Sequence, residues 1–130
     1  MWANLAAVAI GGGLGSVGRM VLNLAIERRF GDQFPWGILA VNVIGCWLIG
    51  VAAAYFALGL PQAPVWLSFL ALGVLGGFTT FSTFSLQTVT LFENGAVTSA
   101  LLYVALSLFL CIGATALGLL VARAAIGAAS

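Results

Sequence analysis

The chain has 130 residues, of which 63% are hydrophobic and 5% are charged, and its formal net charge is +1. A composition this apolar, with a mean hydropathy of +1.21, excludes a soluble globular domain. The sequence has no run of charge of the kind that binds nucleic acid, so we expect no nucleic-acid partner. It predicts a protein that resides in the lipid bilayer.

Four stretches of the chain are long and apolar enough to cross a membrane as helices, which takes about 20 residues each. They cover roughly residues 2–26, 34–60, 65–92 and 96–122. The first is too long for a signal-peptide core and has no basic region before it, so we expect it to be retained. Because the loops are short, the sequence predicts a single all-α membrane domain over residues 1–130.

Arginine is divided almost evenly between the two sides that four spans define. Arg123 and the amino terminus fall on one side, and Arg28 and Arg29 on the other. Basic residues near span ends set orientation, and here they set almost no bias. Either small effects choose one orientation, or the chain inserts both ways and pairs with an inverted copy. The 17 glycines favour such an additional helix interface.

Polar side chains occur within two of the spans. Asn42 lies near the middle of the second, where it either bonds a neighbouring helix or faces a polar path. In the fourth, a row of polar residues recurs every four positions: Tyr103, Ser107, Cys111 and Thr115. Hydroxyls in spans often bond the carbonyl four residues earlier, which is the alternative to a polar lining. Cys46 and Cys111 stand singly in apolar sequence with no histidine in the chain, so we expect reduced thiols and no Cys/His metal site.

The third stretch contains the sequence GGFTTFSTFS, from Gly76 to Ser85, within residues 33–92, which carry no charge. Glycines followed by alternating hydroxyls and phenylalanines suit a lipid-facing surface poorly. Irregular backbone at membrane depth survives only when it is buried in protein or lines a cavity. The pattern therefore predicts a break in the third helix, with hydroxyls and aromatic ring edges turned inward.

The acidic residues Glu27, Asp32 and Glu93 all lie at predicted loops. The spans therefore have no titratable carboxylate for proton-coupled antiport and no carboxylate ring for cations. The sequence also has no carboxylate pair, histidine base or nucleophile dyad, so we expect no enzyme. The available donors are amide N–H groups, hydroxyls and ring edges, which favour a small hard anion.

The sequence resembles the CrcB/Fluc family of fluoride channels. The resemblance rests on Gly76 to Ser85, on Trp36-Gly37 and Val41-Asn42 ahead of Gly45, and on the run from Gly12 to Arg19. Chain length and span number agree as well. The resemblance implies an antiparallel, dual-topology homodimer in the cell inner membrane. Such a dimer has two narrow pores that export fluoride passively and relieve its toxicity.

The resemblance also implies roles for particular residues. The rings of Phe81 and Phe84 present their edges to fluoride, and Asn42 donates to it. A polar track continues along the path; its members here are Ser82, Thr83, Tyr103 and Ser107. A structural Na⁺ at the dimer centre is held by backbone carbonyls that correspond to Gly76 and Thr79 of both chains.

Two positions leave alternatives open. Arg19 either draws anions into a vestibule, as a similar family arginine suggests, or snorkels to the headgroups. Gln87 departs from the glutamate of several family members, which puts a vestibule carboxylate in doubt. The main rival is a dual-topology small multidrug exporter, but these depend on a glutamate in the first helix, and residues 2–26 contain none.

Overall fold

The structure is a computed structural model that describes residues 1–57 and 64–129. Within those residues, four helices are long and apolar enough to cross a membrane. They are Trp2–Phe30, Trp36–Ala57, the interrupted third span Pro64–Glu93, and Val97–Ala129. The prediction of an all-α protein with four spans is confirmed. The predicted loop between the second and third spans, residues 61–64, falls mostly outside the described residues.

The third span is interrupted where the sequence predicts. Thr79 (φ −78°, ψ 155°) and Thr80 (φ −151°, ψ 116°) are extended, and together they separate two helical halves. The first half, residues 64–78, contains a π-helical segment; its parts are Pro64–Leu67, Ser68–Leu75 and Gly76–Phe78. The second half is Phe81–Glu93. Wide π turns are rare in proteins and occur often at functional sites.

The first helix is longer than expected, because Glu27 and the two arginines after it continue the helix to Phe30. It ends at Gly31, whose φ of 82° is a left-handed conformation that glycine adopts without a steric penalty. Arg28 and Arg29 occupy the last turn, where cations interact favourably with the unpaired carbonyls.

The second and fourth helices pack against each other at two glycines. A methyl group at Gly50 would collide with the carbonyl oxygen of Thr115, and one at Gly118 with the carbonyl oxygen of Trp47. Small residues allow this close approach of two membrane helices. The hydroxyl of Thr115 crosses the same interface and donates to the Cys46 carbonyl at 3.0 Å.

The first helix packs in the same way against the first half of the third span. A methyl group at Gly11 would meet the Phe69 carbonyl, and one at Gly15 the Val74 carbonyl. Gly77 faces the Gly12 carbonyl from the opposite side. These glycines serve contacts within the chain. Much of the helical surface nevertheless stays uncovered: in an apolar stretch of 18 residues, only 17% is buried in the first span and 11% in the fourth.

Candidate functional site

A cavity of about 240 Å³ lies where the break in the third span faces the second and fourth helices. Its walls are Asn42, Cys46, Thr79, Thr80, Phe81, Phe84, Ser107, Leu108, Cys111 and Ile112. None of these residues carries a formal charge. The mostly apolar cavity therefore offers a few uncharged polar groups, which are an amide, hydroxyls and thiols, together with two aromatic rings.

Asn42 holds the break open by pairing with Thr80. The Thr80 N–H donates to Asn42 Oδ1 at 2.8 Å, and Asn42 Nδ2 donates to the Thr80 carbonyl at 3.1 Å. Because a backbone N–H only donates, this pair fixes which end of the Asn42 amide faces which group. The Asn42 NH₂ group has a second hydrogen, and the residue also lines the cavity. Asn42 thus bonds the third span, as one alternative held, and also faces the candidate path.

Thr80 is also the N-cap of the helix Phe81–Glu93. Its Oγ1 accepts from the Thr83 N–H at 3.2 Å and donates to Thr83 Oγ1 at 3.1 Å. Ser82 Oγ lies 3.3 Å from the same oxygen. Ser82 and Thr83, both predicted on a polar track, thus surround the cap, and neither is among the residues lining the cavity. The cap compensates backbone donors that the break leaves unpaired.

The two phenylalanines lie side by side at the cavity, with ring centroids 5.4 Å apart. Phe84 is 8% exposed, whereas Phe81 is 74% exposed. Phe78 points elsewhere and packs near Gly18 and Gly45. Phe81 is therefore a large ring at membrane depth with little cover from its own chain.

The row on the fourth helix divides into several environments. Ser107 is 7% exposed and lines the cavity, and its hydroxyl has no hydrogen-bond partner among the described residues. Tyr103 is fully buried behind Phe84, with ring centroids 5.1 Å apart. Its hydroxyl donates to Gln87 Oε1 at 2.7 Å. Thr115 bonds the Cys111 carbonyl at 3.1 Å as well as crossing to the second helix, so back-bonding does occur here.

On another side of the break, Arg19 points into the protein. Its guanidinium contacts the Thr79 carbonyl at 3.5 Å, at the limit of a hydrogen bond. The Ser16 hydroxyl contacts the Gly77 carbonyl at 3.4 Å. Gly76 has ordinary helical angles (φ −64°, ψ −36°), and an added methyl group there would meet no atom closer than 3.7 Å. Neither backbone conformation nor packing within the chain therefore requires glycine at this position.

Comparison with known proteins identifies the family. The sequence model described as "CrcB-like protein, Camphor Resistance (CrcB)" matches residues 6–119. The chain belongs to the CrcB family. Relatives named "Fluoride-specific ion channel FluC" include proteins of Nitrobacter winogradskyi, 45% identical over 94% of this chain and 97% of the relative, and of Agrobacterium fabrum, 46% identical over 92% and 96%. A relative of that name from Acidithiobacillus ferrooxidans is 41% identical over 91% and 94%.

Membership of the CrcB family confirms the resemblance found in the sequence and excludes the multidrug-exporter alternative. It also confirms the prediction that the protein is not an enzyme, because these CrcB relatives are named as ion channels. With four helices able to span a membrane, the protein is a multi-pass membrane protein.

Sequence reasoning missed Thr80 as a central residue of the site. The available signal was a threonine immediately before the first helical residue of a restarted helix, which is a preferred N-cap. Cys46 was also missed as a cavity residue. It stands four positions after Asn42, and side chains at that spacing share a helix face. Both signals become useful only once Asn42 and the break are placed together.

Proposed function

We propose that this protein is a fluoride channel that exports F⁻ passively across the cell inner membrane and so relieves fluoride toxicity. Two observations support the proposal. The relatives that align over nearly the whole chain are named as fluoride-specific ion channels. The mostly apolar walls of the cavity at the break contain a few uncharged donors, which suit a small hard anion, and no titratable carboxylate.

The observation that carries the proposal is the Ser107 hydroxyl, which is buried, unpartnered within the described chain and located at the cavity. A buried hydroxyl without a partner costs about 1–3 kcal/mol. Such a cost is recovered when an anion accepts the hydroxyl hydrogen. Selective channels replace an ion's hydration shell with fixed polar groups in this way.

Three further groups complete the environment of the ion. One amide hydrogen of Asn42 bonds the Thr80 carbonyl, and the second is available to an ion in the cavity that Asn42 lines. The rings of Phe81 and Phe84 have positive edges, and an edge presented to an anion attracts it. Tyr103 lies behind Phe84 and bonds Gln87, so its contribution to the path is to support that ring.

We further propose that two copies assemble as an antiparallel homodimer with two pores. The near-even division of positive charge, with Arg28 and Arg29 on one side and Arg123 and the amino terminus on the other, supports dual topology. The exposure of Phe81 supports a partner chain that covers this ring. The glycine at position 76, which no contact among the described residues requires, supports close approach by a second copy at that point.

A structural Na⁺ fits the backbone carbonyl groups at the break. The Thr80 N–H would pair with the Gly76 carbonyl in an uninterrupted helix, but it bonds Asn42 instead. Carbonyl oxygens are suitable ligands for a hard cation, and Gly76 and Thr79 would hold the ion from both chains. When bound, the ion supplies a fixed positive charge that joins the two copies and favours anions nearby. The Thr79 carbonyl would then be shared with Arg19, which contacts it at 3.5 Å.

Efflux from proteoliposomes tests the proposal directly. Vesicles loaded with KF or KCl are triggered with valinomycin, and the released anion is read with ion-selective electrodes. We expect rapid fluoride release and no detectable chloride release. Fluoride release that requires an opposing proton gradient would indicate a coupled carrier, and no release from a well-folded protein would contradict the proposed function.

Matched variants locate the path. Phe81→Leu and Phe109→Leu change rings of similar exposure, at 74% and 80%, but of the two only Phe81 lines the cavity. We expect fluoride efflux to fall at least tenfold in Phe81→Leu and to stay unchanged in Phe109→Leu. Size-exclusion chromatography of both variants separates a lost pore from a lost dimer. Equal efflux in the two variants would show that the path lies elsewhere.

A further inference from the structure

The only two cysteines of the chain lie in the walls of the same cavity. Cys46 comes from the second helix and Cys111 from the fourth, and both are free thiols that are partly exposed. Nothing in the proposed export of fluoride uses a thiol. The wall of the proposed anion path therefore contains two soft sulfur atoms that the export of fluoride does not explain.

The backbone places the two cysteines at the same level of the helix pair. The single hydroxyl of Thr115 contacts the Cys46 carbonyl at 3.0 Å and the Cys111 carbonyl at 3.1 Å. One oxygen atom thus touches both residues, so the two backbones run side by side at this point. Close glycine contacts at Gly50 and Gly118 hold the helices at this spacing.

We propose that Cys46 and Cys111 form a two-coordinate site for thiophilic d¹⁰ cations, and that an ion bound there closes the anion path. The closure, but not the binding, rests on the proposed channel function. Soft thiolate ligands select soft metals, and d¹⁰ ions such as Hg²⁺, Ag⁺ and Cu⁺ accept a linear pair of sulfur ligands. The described residues contain no cluster of three or more His, Cys, Asp or Glu side chains, so ions that need four ligands are disfavoured.

The chemistry is a ligand exchange without oxidation. With HgCl₂, each S–H bond is replaced by an S–Hg bond, and two protons and two chloride ions are released. The product is a neutral S–Hg–S bridge, since a coordinating thiol gives up its proton. HgCl₂ is itself neutral, so it reaches the thiols through the bilayer or through the path.

The location explains why the path would close. Cys46 follows Asn42 by four residues on one helix face, and side chains at this spacing have Cβ atoms about 5–6 Å apart. Ser107 and Cys111 have the same spacing on the fourth helix, and all four residues line the cavity. A bridge between the thiols therefore lies one helical turn from Asn42 and Ser107, both of which belong to the proposed path.

The binding is tested on purified full-length protein, independently of transport. One equivalent of HgCl₂ per chain is added, and the remaining thiols are counted by maleimide labelling in denaturant and intact-mass spectrometry. We expect one bound mercury per chain and no free thiol, because a single ion uses both. One bound mercury with one thiol still free would overturn the bridge. Cys46→Ser and Cys111→Ser are the controls, each expected to bind mercury through its one remaining thiol.

The closure is tested by fluoride efflux with the same additions. We expect wild-type efflux to fall at least tenfold with one equivalent of HgCl₂ and to recover with dithiothreitol. The double variant Cys46→Ser/Cys111→Ser should keep its efflux under the same treatment, and equal inhibition of that variant would overturn the closure. If the untreated protein shows no fluoride efflux, the channel proposal fails, while the thiol count still decides whether the metal site exists.

Discussion

The two halves of the third span are held in place by different physical means. Residues 64–78 pack against the first helix by backbone contact. Their backbone atoms approach Gly11 and Gly15 so closely that a methyl group at either glycine would collide with them. The helix Phe81–Glu93 is positioned by side chains instead, through Asn42 with Thr80 and through Tyr103 with Gln87. The first half is thus fixed mainly by shape, and the second by these hydrogen bonds together with Phe84, which packs in a buried cluster with Leu39 and Tyr103.

The difference corresponds to what each half does. Steric contacts between backbones tolerate almost no change, which suits a segment that anchors the break. Hydrogen bonds between membrane helices are individually modest, averaging about 0.6 kcal/mol in one well-studied case. They orient specific atoms, however, which suits the half that presents the rings of Phe81 and Phe84 to the cavity. Four sets of variants separate the two kinds of support.

The largest effect is expected where shape alone holds the structure. Gly15→Leu places a side chain against the Val74 carbonyl, and its cost should reach or exceed the about 1–3 kcal/mol typical of overpacking. Gly113→Leu is the matched control, since nothing lies within 4 Å of a methyl group there. We expect the yield of monodisperse protein to collapse only in Gly15→Leu. Equal yields would mean that this helix contact is dispensable.

A smaller effect is expected where Asn42 pairs with the break. Asn42→Leu removes both bonds to Thr80. Each bond has a net contribution of about 0.5–1.5 kcal/mol, so the variant should lose about 1–3 kcal/mol of stability. The melting temperature and fluoride efflux should both fall. Thr88→Val is the control, because it removes only a local bond to the Phe84 carbonyl. If Asn42→Leu loses efflux but keeps its melting temperature, Asn42 serves the ion and not the break.

Two hydroxyls on the fourth helix should show opposite behaviour. Thr115→Val removes bonds to two carbonyls and should lower stability by about 1 kcal/mol while efflux persists. Ser107→Ala removes a hydroxyl that has no partner within the described chain, so stability without fluoride should hold or rise while efflux falls. Thermal unfolding and efflux are measured on both variants. A loss of stability in Ser107→Ala would show that its hydroxyl has a structural partner.

The smallest effect is expected at the pair behind Phe84. Tyr103→Phe removes the 2.7 Å bond to Gln87, and a double-mutant cycle with Gln87→Leu should give a coupling of about 0.5–1.5 kcal/mol. If Tyr103 only supports the ring, both single variants reduce efflux by the same small factor. A much larger loss in Tyr103→Phe than in Gln87→Leu would place the tyrosine hydroxyl on the ion path itself.

Much of this architecture could be predicted from the sequence, because local composition decides it. Four apolar stretches of sufficient length give four helices in a bilayer. Hydroxyls and aromatic rings between Gly76 and Ser85 mark the break, which the structure has at Thr79 and Thr80. Asn42 and Ser107 were also identifiable as candidate site residues, since polar groups are costly in lipid and therefore conspicuous.

The partners of those residues could not be predicted in the same way. Both ends of the Asn42 amide bond one residue 38 positions away, and no local pattern encodes such a distance. Likewise, Thr115 touches two carbonyls on different helices, which a back-bonding rule covers only in part. The packing use of Gly11 and Gly15 also depends on which helix lies opposite.

The sequence by itself determined that the protein resides in the lipid bilayer, how many spans it has, where the third span is broken and which chemical groups lie at the break. Each of these properties depends on nearby residues and on the cost of polar groups in lipid. Only the tertiary structure decided which groups are already satisfied and which remain for a ligand. Hydrogen bonding is saturable, so the role of a donor depends on whether another helix has already supplied its acceptor. Here one amide hydrogen of Asn42 already bonds the Thr80 carbonyl, whereas the Ser107 hydroxyl at the cavity has no partner among the described residues.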